Sequence, residues 1–430
     1  MLLVYKKETT EAANFTATRL MKTIAVFGEV LPRYSDSAVY REILALQDKG
    51  LSLKPISRLR RHPGPLPNEA LRLFSETLFL SDTGFFSRAK EHVKRFLSQP
   101  FRYTGTLLRQ IFEGSLWPWG VFQSLKLFSD GLVLARTLEQ EEISHVHVYH
   151  FRKTASVALV AGRLARVSFS VMVRGDDLDQ NFRRLRAKMN EAEWITVPTK
   201  QLKEFLVKKA DITSPEKVRV IPPGVDMAQF TPEREEKNLL QKPRVLAVGS
   251  LTTESGFDIL IKAAKILELN NLDFEIVIAG DGEAKADLQT LTNTLRLNRY
   301  VRITGARRME EILDLLRRAE VFVLPSRKDW EESTVIPPMG MLEAMASGMP
   351  VITTGTIPGL IDKETGRVVP VDNPEILANV ISELLANHYL REKLGTAARE
   401  RVAAHYNLKK NVDELYRLLL SSNQGDEKES

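Results

Sequence analysis

The residues best suited to chemistry lie between residues 319 and 353, where one carboxylate stands in an apolar setting. A predicted strand, Val321–Leu324, ends at a charged loop, and a predicted helix follows at about residues 339–347. Glu343 is the single acidic residue in the run MGMLEAMASG. An unpaired carboxylate is costly to bury, so Glu343 should meet a polar ligand or polar partners. A loop and a helix at the carboxyl end of a parallel strand are the parts of a ligand crevice in an open α/β sheet.

Two further polar clusters stand at or near predicted strand ends in the first half of the chain. Residues 145–151, HVHVYHF, place His145 and His147 on one face of a strand, and residues 174–177, RGDD, follow the strand FSVMV as a charged turn. Histidines are common metal ligands, but alternate spacing along a strand without acidic partners is weak support for a metal site. We predict no metal site here. The charged turn is a candidate for ligand binding.

The composition limits the class of protein. The 430 residues exceed what one hydrophobic core usually supports, so two domains of about 200 residues are expected. The absence of cysteine excludes disulfides and thiol nucleophiles and fits a reducing compartment, the cytoplasm. The net charge of +6 suits anionic partners, but no recognised nucleic-acid-binding module is found and no nucleic acid is predicted as a partner. The amino-terminal apolar run is too short for a signal peptide or a membrane span.

Alternating strand and helix patterns predict an α/β fold with two doubly wound halves. The first half covers residues 22–222 and the second residues 240–404, and PPGVD with the charged residues after it is predicted to be the linker. An amphipathic helix over residues 405–420 is expected to pack back on the first domain. The GxGxxG turn is absent after the first strand, which weakens a dinucleotide interpretation.

Residues 67–142 interrupt the first half with several helical patterns and no convincing strand. These helices combine Phe, Leu and Trp with basic residues, which are Arg88, Lys90, Lys94, Arg95, Arg102 and Arg109. Basic and aromatic residues on amphipathic helices suit the face of an anionic membrane. The alternative is a helical insertion that packs on its own sheet, because most apolar helix faces belong to a core. Both interpretations of residues 68–142 stay open.

The ordered set of motifs resembles the retaining nucleotide-sugar glycosyltransferases of the GT-B architecture, of the family 4-like, polysaccharide-biosynthesis type. The motifs that carry the resemblance are RVLAVGSLTTESGFDILIKAAKIL, VIAGDGE, VFVLPS, LEAMASGMPVI and ETGRVVPVDNPEILANVI. The similarity extends from residue 22 to about residue 420. It implies two Rossmann-like domains that face a cleft, with a helical insertion in the first.

The resemblance also implies an activity. The second domain would bind a nucleotide-diphosphate sugar, and the first would hold a glycan or lipid-linked acceptor in polysaccharide or glycolipid biosynthesis. Members of this family are generally metal-independent, so no cofactor is expected, and positive side chains with a helix N-terminus must offset the diphosphate. A protein of this kind is expected in the cytoplasm, peripherally on the inner face of the membrane.

The resemblance places site residues in both domains. Arg174 and Asp177 are assigned to the catalytic side. The donor is assigned to Gly249, Ser250, Ser255, Gly280, Asp281, Arg307, Ser326, Arg327, Met341, Leu342 and Glu343. Glu343 would take hydroxyls of the nucleotide ribose.

Several of these positions depart from the family pattern. The family has Arg at position 250, Lys at 255, and Glu at 335 and 359, where this chain has Ser250, Ser255, Val335 and Gly359. Arg174 replaces a histidine that often stands beside the sugar. The two lost cations would each have made charged hydrogen bonds to a diphosphate, worth roughly 1.5–3 kcal/mol each.

Neighbouring charged residues are candidates to compensate for these replacements. The cations are Arg307, Arg308, Arg327 and Lys328, and the carboxylates upstream of Val335 are Glu331 and Glu332. If they do compensate, the chain is an active hexosyltransferase-like enzyme with a rebuilt donor site. If they are solvated surface charges, the chain is a catalytically degenerate relative that acts as a binding or scaffold partner.

Overall fold

The computed structural model describes most of the chain as two compact units. The described residues are 22–62, 64, 66–113, 117–175, 182–209, 212, 214–232, 242–327, 336–355, 357 and 359–423. The first unit takes in residues up to 63, residues 69–221 and residues from 412, and the second takes in residues 64–68 and 222–411. Asp177, Lys328, Glu331, Glu332 and Val335 lie outside the described residues.

The first unit is built on a parallel sheet of seven strands. They are β1 (Ile24–Gly28), β2 (Leu53–Ser57), β3 (Leu78–Phe79), β4 (His145–Val148), β5 (Ser168–Met172), β6 (Ile195–Val197) and β7 (Val218–Val220). Their order is β3-β2-β1-β4-β5-β6-β7, so the chain winds one way from β1 and the other way from β4. Where the winding reverses, the loops that follow β1 and β4 diverge and leave a crevice at the carboxyl edge.

Helices cover this sheet. They are α1 (Ser37–Asp48), α2 (Asn68–Glu76), α3 (Phe85–Ser98), α4 (Pro100–Phe112), α5 (Pro118–Gln140), α6 (Phe151–Ala165), α7 (Phe182–Glu191) and α8 (Lys200–Lys209). A continuous core joins the sheet with α5 and α6 and includes Phe27, Phe128, Val146 and Leu159. The near-continuous apolar strands follow from a parallel sheet buried on both faces.

The second unit contains a parallel sheet of six strands. They are β8 (Arg244–Val248), β9 (Glu275–Ala279), β10 (Val301–Gly305), β11 (Val321–Leu324), β12 (Val351–Thr354) and β13 (Gly366–Val369). The order β10-β9-β8-β11-β12-β13 again reverses, here between β8 and β11. The stretch from residue 319 therefore lies directly at the reversal.

Helices on both faces complete the second unit. They are α9 (Phe257–Leu269), α10 (Lys285–Thr294), α11 (Met309–Arg317), α12 (Met339–Ala346), α13 (Pro374–Ala386), α14 (His388–His405) and α15 (Leu408–Asn423), of which the last continues into residues assigned to the first unit. Two buried clusters fill the spaces on the two faces of the sheet. Within the first unit, the hydroxyl of Ser422 accepts a 2.8 Å hydrogen bond from the indole N–H of Trp194.

The predicted α/β class and the two doubly wound sheets are confirmed. The prediction that the insertion lacks a strand is wrong in one detail, because β3 pairs with β2 through Leu78 and Phe79 at the edge of the sheet. Two residues are too few to display the period of a strand in sequence. Among the described residues, no helix is long and apolar enough to cross a bilayer.

Close packing of α5 on α6 depends on a glycine in the middle of α5. A Cβ atom on Gly131 would overlap the side chain of Val160 on α6. Glycine inside a helix is normally unfavourable by about 0.5–1 kcal/mol relative to alanine. Its presence here is therefore explained by the approach of the two helices.

We expect Gly131→Ala to destabilise the protein by about 1–3 kcal/mol, because the added methyl overpacks the α5–α6 interface. Urea unfolding followed by circular dichroism measures the effect. Gly105→Ala is the matched control, since Gly105 lies inside α4 with open space around its Cβ direction. The control should be stabilised by roughly 0.5–1 kcal/mol. Equal effects from both variants would contradict this account of the interface.

Candidate functional site

Three loops meet at the carboxyl edge of the second sheet, where its winding reverses. The N–H of Gly249, after β8, donates to the carbonyl of Ala279 on β9 at 3.1 Å. A Cβ on Gly280 would overlap the carbonyl oxygen of Gly249, and one on Gly256 would overlap that of Pro325 after β11. Only glycine permits backbones to approach this closely, and Gly256 also has a φ of +66°. The glycines predicted for the donor site are therefore brought together.

The loop after β8 is closed by its own serines. The hydroxyl of Ser255 donates to the carbonyl oxygen of Ser250 at 2.5 Å and lies 3.0 Å from the hydroxyl of Thr252. This internal bonding occupies the two positions where the family pattern has cations. The loop is therefore neutral at Ser250 and Ser255.

Arg327, directly after β11, is a bridge between three segments. Its guanidinium binds both carboxylate oxygens of Asp258, in the first turn of α9, at 2.7 and 2.8 Å. It also donates to Asp372 at 2.6 Å and to the carbonyl of Thr253 at 3.0 Å. The hydrogen bonds that Arg327 donates to Asp258 are the main cause that raises the pKa of Arg327. Two carboxylates thus pair with the guanidinium of Arg327.

Ser326 and Asp281 lie at the same edge. The hydroxyl of Ser326 is 3.5 Å from the carbonyl oxygen of Glu254, and its own carbonyl accepts from Thr354. Asp281 follows β9, and its carboxylate accepts from the N–H of Gly282 at 2.9 Å. The loops at this edge therefore carry hydroxyl, carboxylate and backbone polar groups close together.

Two further cations stand near this edge with acidic partners. Lys285, in the first turn of α10, lies 3.2 Å from Asp281, and Arg307 binds Glu311 at 2.8 Å. Sequence reasoning missed Lys285, although its place at the start of a predicted helix, four residues after Asp281, was available from the sequence. With Arg327, three cations of this region are matched by carboxylates. An anionic ligand must therefore compete with these pairs for them.

Helix α12 carries Glu343 inside the second unit. Glu343 is buried, as are Met341 and Leu342, whose side chains belong to the apolar cluster on that face of the sheet. The N–H groups of both apolar residues donate to the carbonyl of Pro338, which directly precedes the helix. The side chains of Met341 and Leu342 thus hold α12 against the sheet that supports the loops.

The first unit has its own polar cluster at the reversal between β1 and β4. Asp36 accepts from Arg174 at 2.8 Å through one oxygen and binds Nε2 of His150 through the other. Burial alone would raise the pKa of Asp36, but the hydrogen bond from His150 and the charge of Arg174 hold it well below its usual range. Three chain segments thus present an ionised carboxylate, a guanidinium and an imidazole at one edge.

Sequence reasoning found Arg174 but missed the roles of Asp36 and His150. His150 follows β4 in a left-handed conformation, with a φ of +66°, which is uncommon for residues other than glycine. Its position at the end of HVHVYH, directly after a predicted strand, could have marked His150 as a residue of the carboxyl edge of the sheet. Asp36 comes just before α1, 114 residues away in sequence from His150, so no local pattern connects the two.

A buried pair supports this cluster. The hydroxyl of Tyr149 donates to the carboxyl of Glu42, on α1, at 2.6 Å. Burial raises the pKa of Glu42 to about 7, against the hydrogen bond from Tyr149, which lowers it, and together with the charge of Asp36, which raises it. The carboxyl of Glu42 therefore keeps its proton to a higher pH than an exposed glutamate does.

His145 and His147 are structural residues within the first sheet. Both rings bind the hydroxyl of Ser170 at 2.8 Å, and both stack on Trp194. Burial lowers the pKa of His147 to about 3, with the charge of His145 adding to the effect. Among the described residues, no group of three or more His, Cys, Asp or Glu side chains could hold a metal ion.

Family models match two successive segments of the chain. "Glycosyltransferase Family 4" matches residues 87–229, which include Arg174 and His150. "Glycosyl transferases group 1" matches residues 229–401, which include all three loops at the edge of the second sheet. The two matches meet at residue 229, shortly after residue 222, where the long segment of the second unit begins.

Curated relatives are glycosyltransferases by name. The alpha-D-kanosaminyltransferase of Streptomyces kanamyceticus is 35% identical over 42% of this chain and 46% of its own. The amylovoran biosynthesis glycosyltransferase AmsK of Erwinia amylovora is 30% identical over 45% of this chain and 48% of its own. The chain spans about half the length of these two. An Escherichia coli UDP-Gal:alpha-D-GlcNAc-diphosphoundecaprenol alpha-1,3-galactosyltransferase is 28% identical over 66% of this chain and 76% of its own.

Solved structures share the fold of this chain. A glycosyltransferase from Rickettsia africae ESF-5 matches with a TM-score of 0.66 at 16% identity, over 94% of this chain and 99% of its own. Anabaena Alr3699/HepE in complex with UDP and glucose matches with a TM-score of 0.66 at 14% identity, over 93% and 99%. At these identities the likeness establishes the fold.

The raised pKa of Glu42 predicts that its contribution to stability depends on pH. Since the folded pKa of about 7 exceeds the usual 4.5, this contribution is complete below about pH 4.5 and is lost as the pH rises through 7. The full loss is on the order of 3 kcal/mol. Glu42→Gln, which stays neutral, should lose less stability than the wild type between about pH 5 and pH 8.

Urea midpoints at the two pH values measure this difference. Glu69→Gln is the control, because Glu69 lies exposed in the first turn of α2. It should keep the pH dependence of the wild type. If Glu42→Gln also keeps that dependence, Glu42 does not titrate as proposed.

Proposed function

We propose that the chain transfers a sugar from a nucleotide-diphosphate sugar to an acceptor. Its residues 87–229 match Glycosyltransferase Family 4 and its residues 229–401 match the group 1 glycosyl transferases, so the chain belongs to the GT-B glycosyltransferases. The acceptor is a glycan or a lipid-linked glycan of polysaccharide or glycolipid biosynthesis. The sugar is transferred with retention and without a metal ion. The protein works in the cytoplasm, peripherally on the inner face of the membrane.

The observation that carries the proposal is the set of glycine-lined loops at the edge of the second sheet. Gly256 and Gly280 leave no room for side chains where the loops approach one another, and the backbone of Gly249 is one of the groups that they approach. Backbone groups can approach a phosphate closely in such a place, and α9 begins there, with its N-terminal N–H groups at the loop. The named similarity to sugar transferases supports the choice of a nucleotide sugar as the ligand.

The paired cations nearby suggest how a loop without cations of its own could still bind a diphosphate. Arg327 is held by Asp258 and Asp372. A donor phosphate would draw the guanidinium into a charge-assisted hydrogen bond, and the exposed Asp372 would be the partner released more easily. Catalysis would then consist chiefly of positioning and electrostatic stabilisation.

A panel of nucleotide sugars, measured by calorimetry and then by product analysis with polyprenyl-diphosphate glycans, tests the proposal. One donor should bind and be consumed only when acceptor is present. Glu343→Ala should weaken that binding by roughly 10–100-fold through loss of a charged hydrogen bond to the ribose. Glu392→Ala, on the exposed surface of α14, is the control and should bind as the wild type does.

Two results would count against the assignment. If no donor binds, the transferase proposal fails. If a donor binds but no acceptor is glycosylated, the chain is a binding protein of the same family. A loss of melting temperature in Glu343→Ala, equal with and without donor, would mean that Glu343 serves the fold instead of the ligand.

The first unit gives a separate prediction for the acceptor side. Arg174→Ala should leave donor affinity unchanged and lower the rate of transfer, because it removes the guanidinium that faces Asp36. Arg152→Ala, an exposed arginine in the first turn of α6, is the control. Initial rates of transfer at several acceptor concentrations, measured for both variants and the wild type, test whether Arg174 acts on the acceptor side. Weaker donor binding in Arg174→Ala would contradict an acceptor-side role.

A further inference from the structure

Exposed apolar side chains are concentrated in one part of the first unit. Twelve of the seventeen large apolar side chains that are exposed in the described part of the chain lie between residues 85 and 125. They are Phe85, Phe86, Val93, Phe96, Leu97, Phe101, Leu108, Phe112, Trp117, Trp119, Phe122 and Leu125. Scattered apolar residues are normal on a protein surface, but such a concentration marks an interaction site.

The spacing of these residues places them on helix faces that are separate from the core. On α3, Phe86, Lys90, Val93 and Leu97 recur every three or four residues and are all exposed. The opposite face of α3 carries Glu91 and Arg95, which are buried. The exposed apolar stripe is therefore additional to the face that packs on the protein.

Internal contacts confirm which face is the core face. Arg95 binds Glu91 at 2.9 Å and Glu139 of α5 at 2.5 Å. From α4, Tyr103 packs edge-on against the buried Phe128 of α5, with ring centroids 5.1 Å apart. The helices of the insertion thus pack on the first unit, as the second interpretation predicts, and they also leave a separate apolar surface exposed.

The exposed charges beside these stripes are positive. Between residues 83 and 126 the chain has seven basic residues and two acidic ones. Lys90, Lys94, Arg109 and Lys126 are exposed. The two acidic residues are not exposed and are paired internally, Glu91 with Arg95 and Glu113 with Arg163. This surface therefore complements an anionic partner.

Two of the basic residues first considered for a membrane face are excluded. Arg95 is buried in its pairs with glutamates. Arg88 binds Asp130 at 2.8 Å and the carbonyl of Leu80 at 2.7 Å. Both guanidiniums hold the helices together, so they do not supply charge to the surface.

We propose that the exposed faces of α3, of α4 and of residues 117–126 form a docking surface, on which the protein inserts aromatic side chains into an anionic lipid bilayer. The helices of 14 and 13 residues are too short to span about 30 Å of hydrocarbon, so they would lie in the plane of the interface. Phe and Trp with flanking lysines are the composition of such interfacial helices. A second copy of the chain fits less well, because pairing this surface with itself would bring the exposed lysines together.

The proposal deepens the proposed function, because it names the surface that would bring the protein to a membrane that holds a lipid-linked acceptor. It does not depend on sugar transfer. It assigns the main attraction to apolar insertion and a smaller share to the lysines. Salt should therefore weaken binding without abolishing it.

Flotation with vesicles of phosphatidylglycerol and phosphatidylcholine, compared with phosphatidylcholine alone, tests the surface. The wild type should float with the anionic vesicles. Phe86→Ser combined with Phe101→Ser should lower the bound fraction about tenfold or more, because these two rings are 87% and 91% exposed and insertion scales with apolar area. Leu269→Ser with Tyr389→Ser removes exposed apolar groups from the second unit and is the matched control.

The charged residues and tryptophans give two independent readouts. Lys90→Gln with Lys94→Gln should bind more weakly and lose its salt dependence in part. Emission from Trp117 and Trp119, which are exposed, should shift to shorter wavelength on vesicles, and the shift should disappear in Trp117→Phe with Trp119→Phe. The double variants alter exposed side chains only, and unchanged melting temperatures would verify that they fold.

Several outcomes would overturn the proposal. Equal flotation of the aromatic variant and the wild type would exclude the surface, as would an absence of binding to anionic vesicles. A dimer in light scattering that the aromatic variant abolishes would assign the surface to a second copy. Transfer to a water-soluble acceptor analogue distinguishes the two proposals, because the aromatic variant should retain it even if flotation fails.

Discussion

The close approach of backbone loops at the winding reversal of the second sheet is the constraint on which the candidate donor site depends. Parallel strands end at one edge, and the chain leaves β8 and β11 in opposite directions. Gly256 and Gly280 then bring carbonyl groups so near that a methyl group would overlap them. Backbone N–H groups and helix ends, which suit phosphate groups, are therefore concentrated where side chains are excluded.

Charge in this region is organised as pairs. Asp258 and Asp372 both hold Arg327, and Glu311 holds Arg307, so neither guanidinium stands alone. Such pairs contribute little to stability at the surface, but they fix the positions of the loops. A ligand that carries phosphate would gain from exchanging one carboxylate for a phosphate oxygen. The pairing thereby provides a physical way in which Arg327 and Arg307 could compensate for the cations that are missing at Ser250 and Ser255.

The first unit concentrates its polar groups by the same topological rule. Asp36, His150 and Arg174 come from segments after β1, β4 and β5, which are neighbours in the sheet. Below them, Glu42 and Tyr149 extend the network into the core. The helical insertion is then a separate feature of this unit, with a buried charged face that joins its helices and an exposed apolar face.

The sequence by itself determined the α/β class, the two sheets and the positions of the glycine turns. Those features depend on short-range patterns, namely apolar strands, helical spacing and the placing of Gly249 and Gly280. Only the tertiary structure decided which acidic residues Arg327 and Arg174 pair with, because these ion pairs join residues far apart in the chain. Arg327 meets Asp258 across 69 residues and Arg174 meets Asp36 across 138. The same reason explains why Arg88 and Arg95 looked like surface charges in sequence: their carboxylate partners on α5, Asp130 and Glu139, are brought to them by helix packing alone.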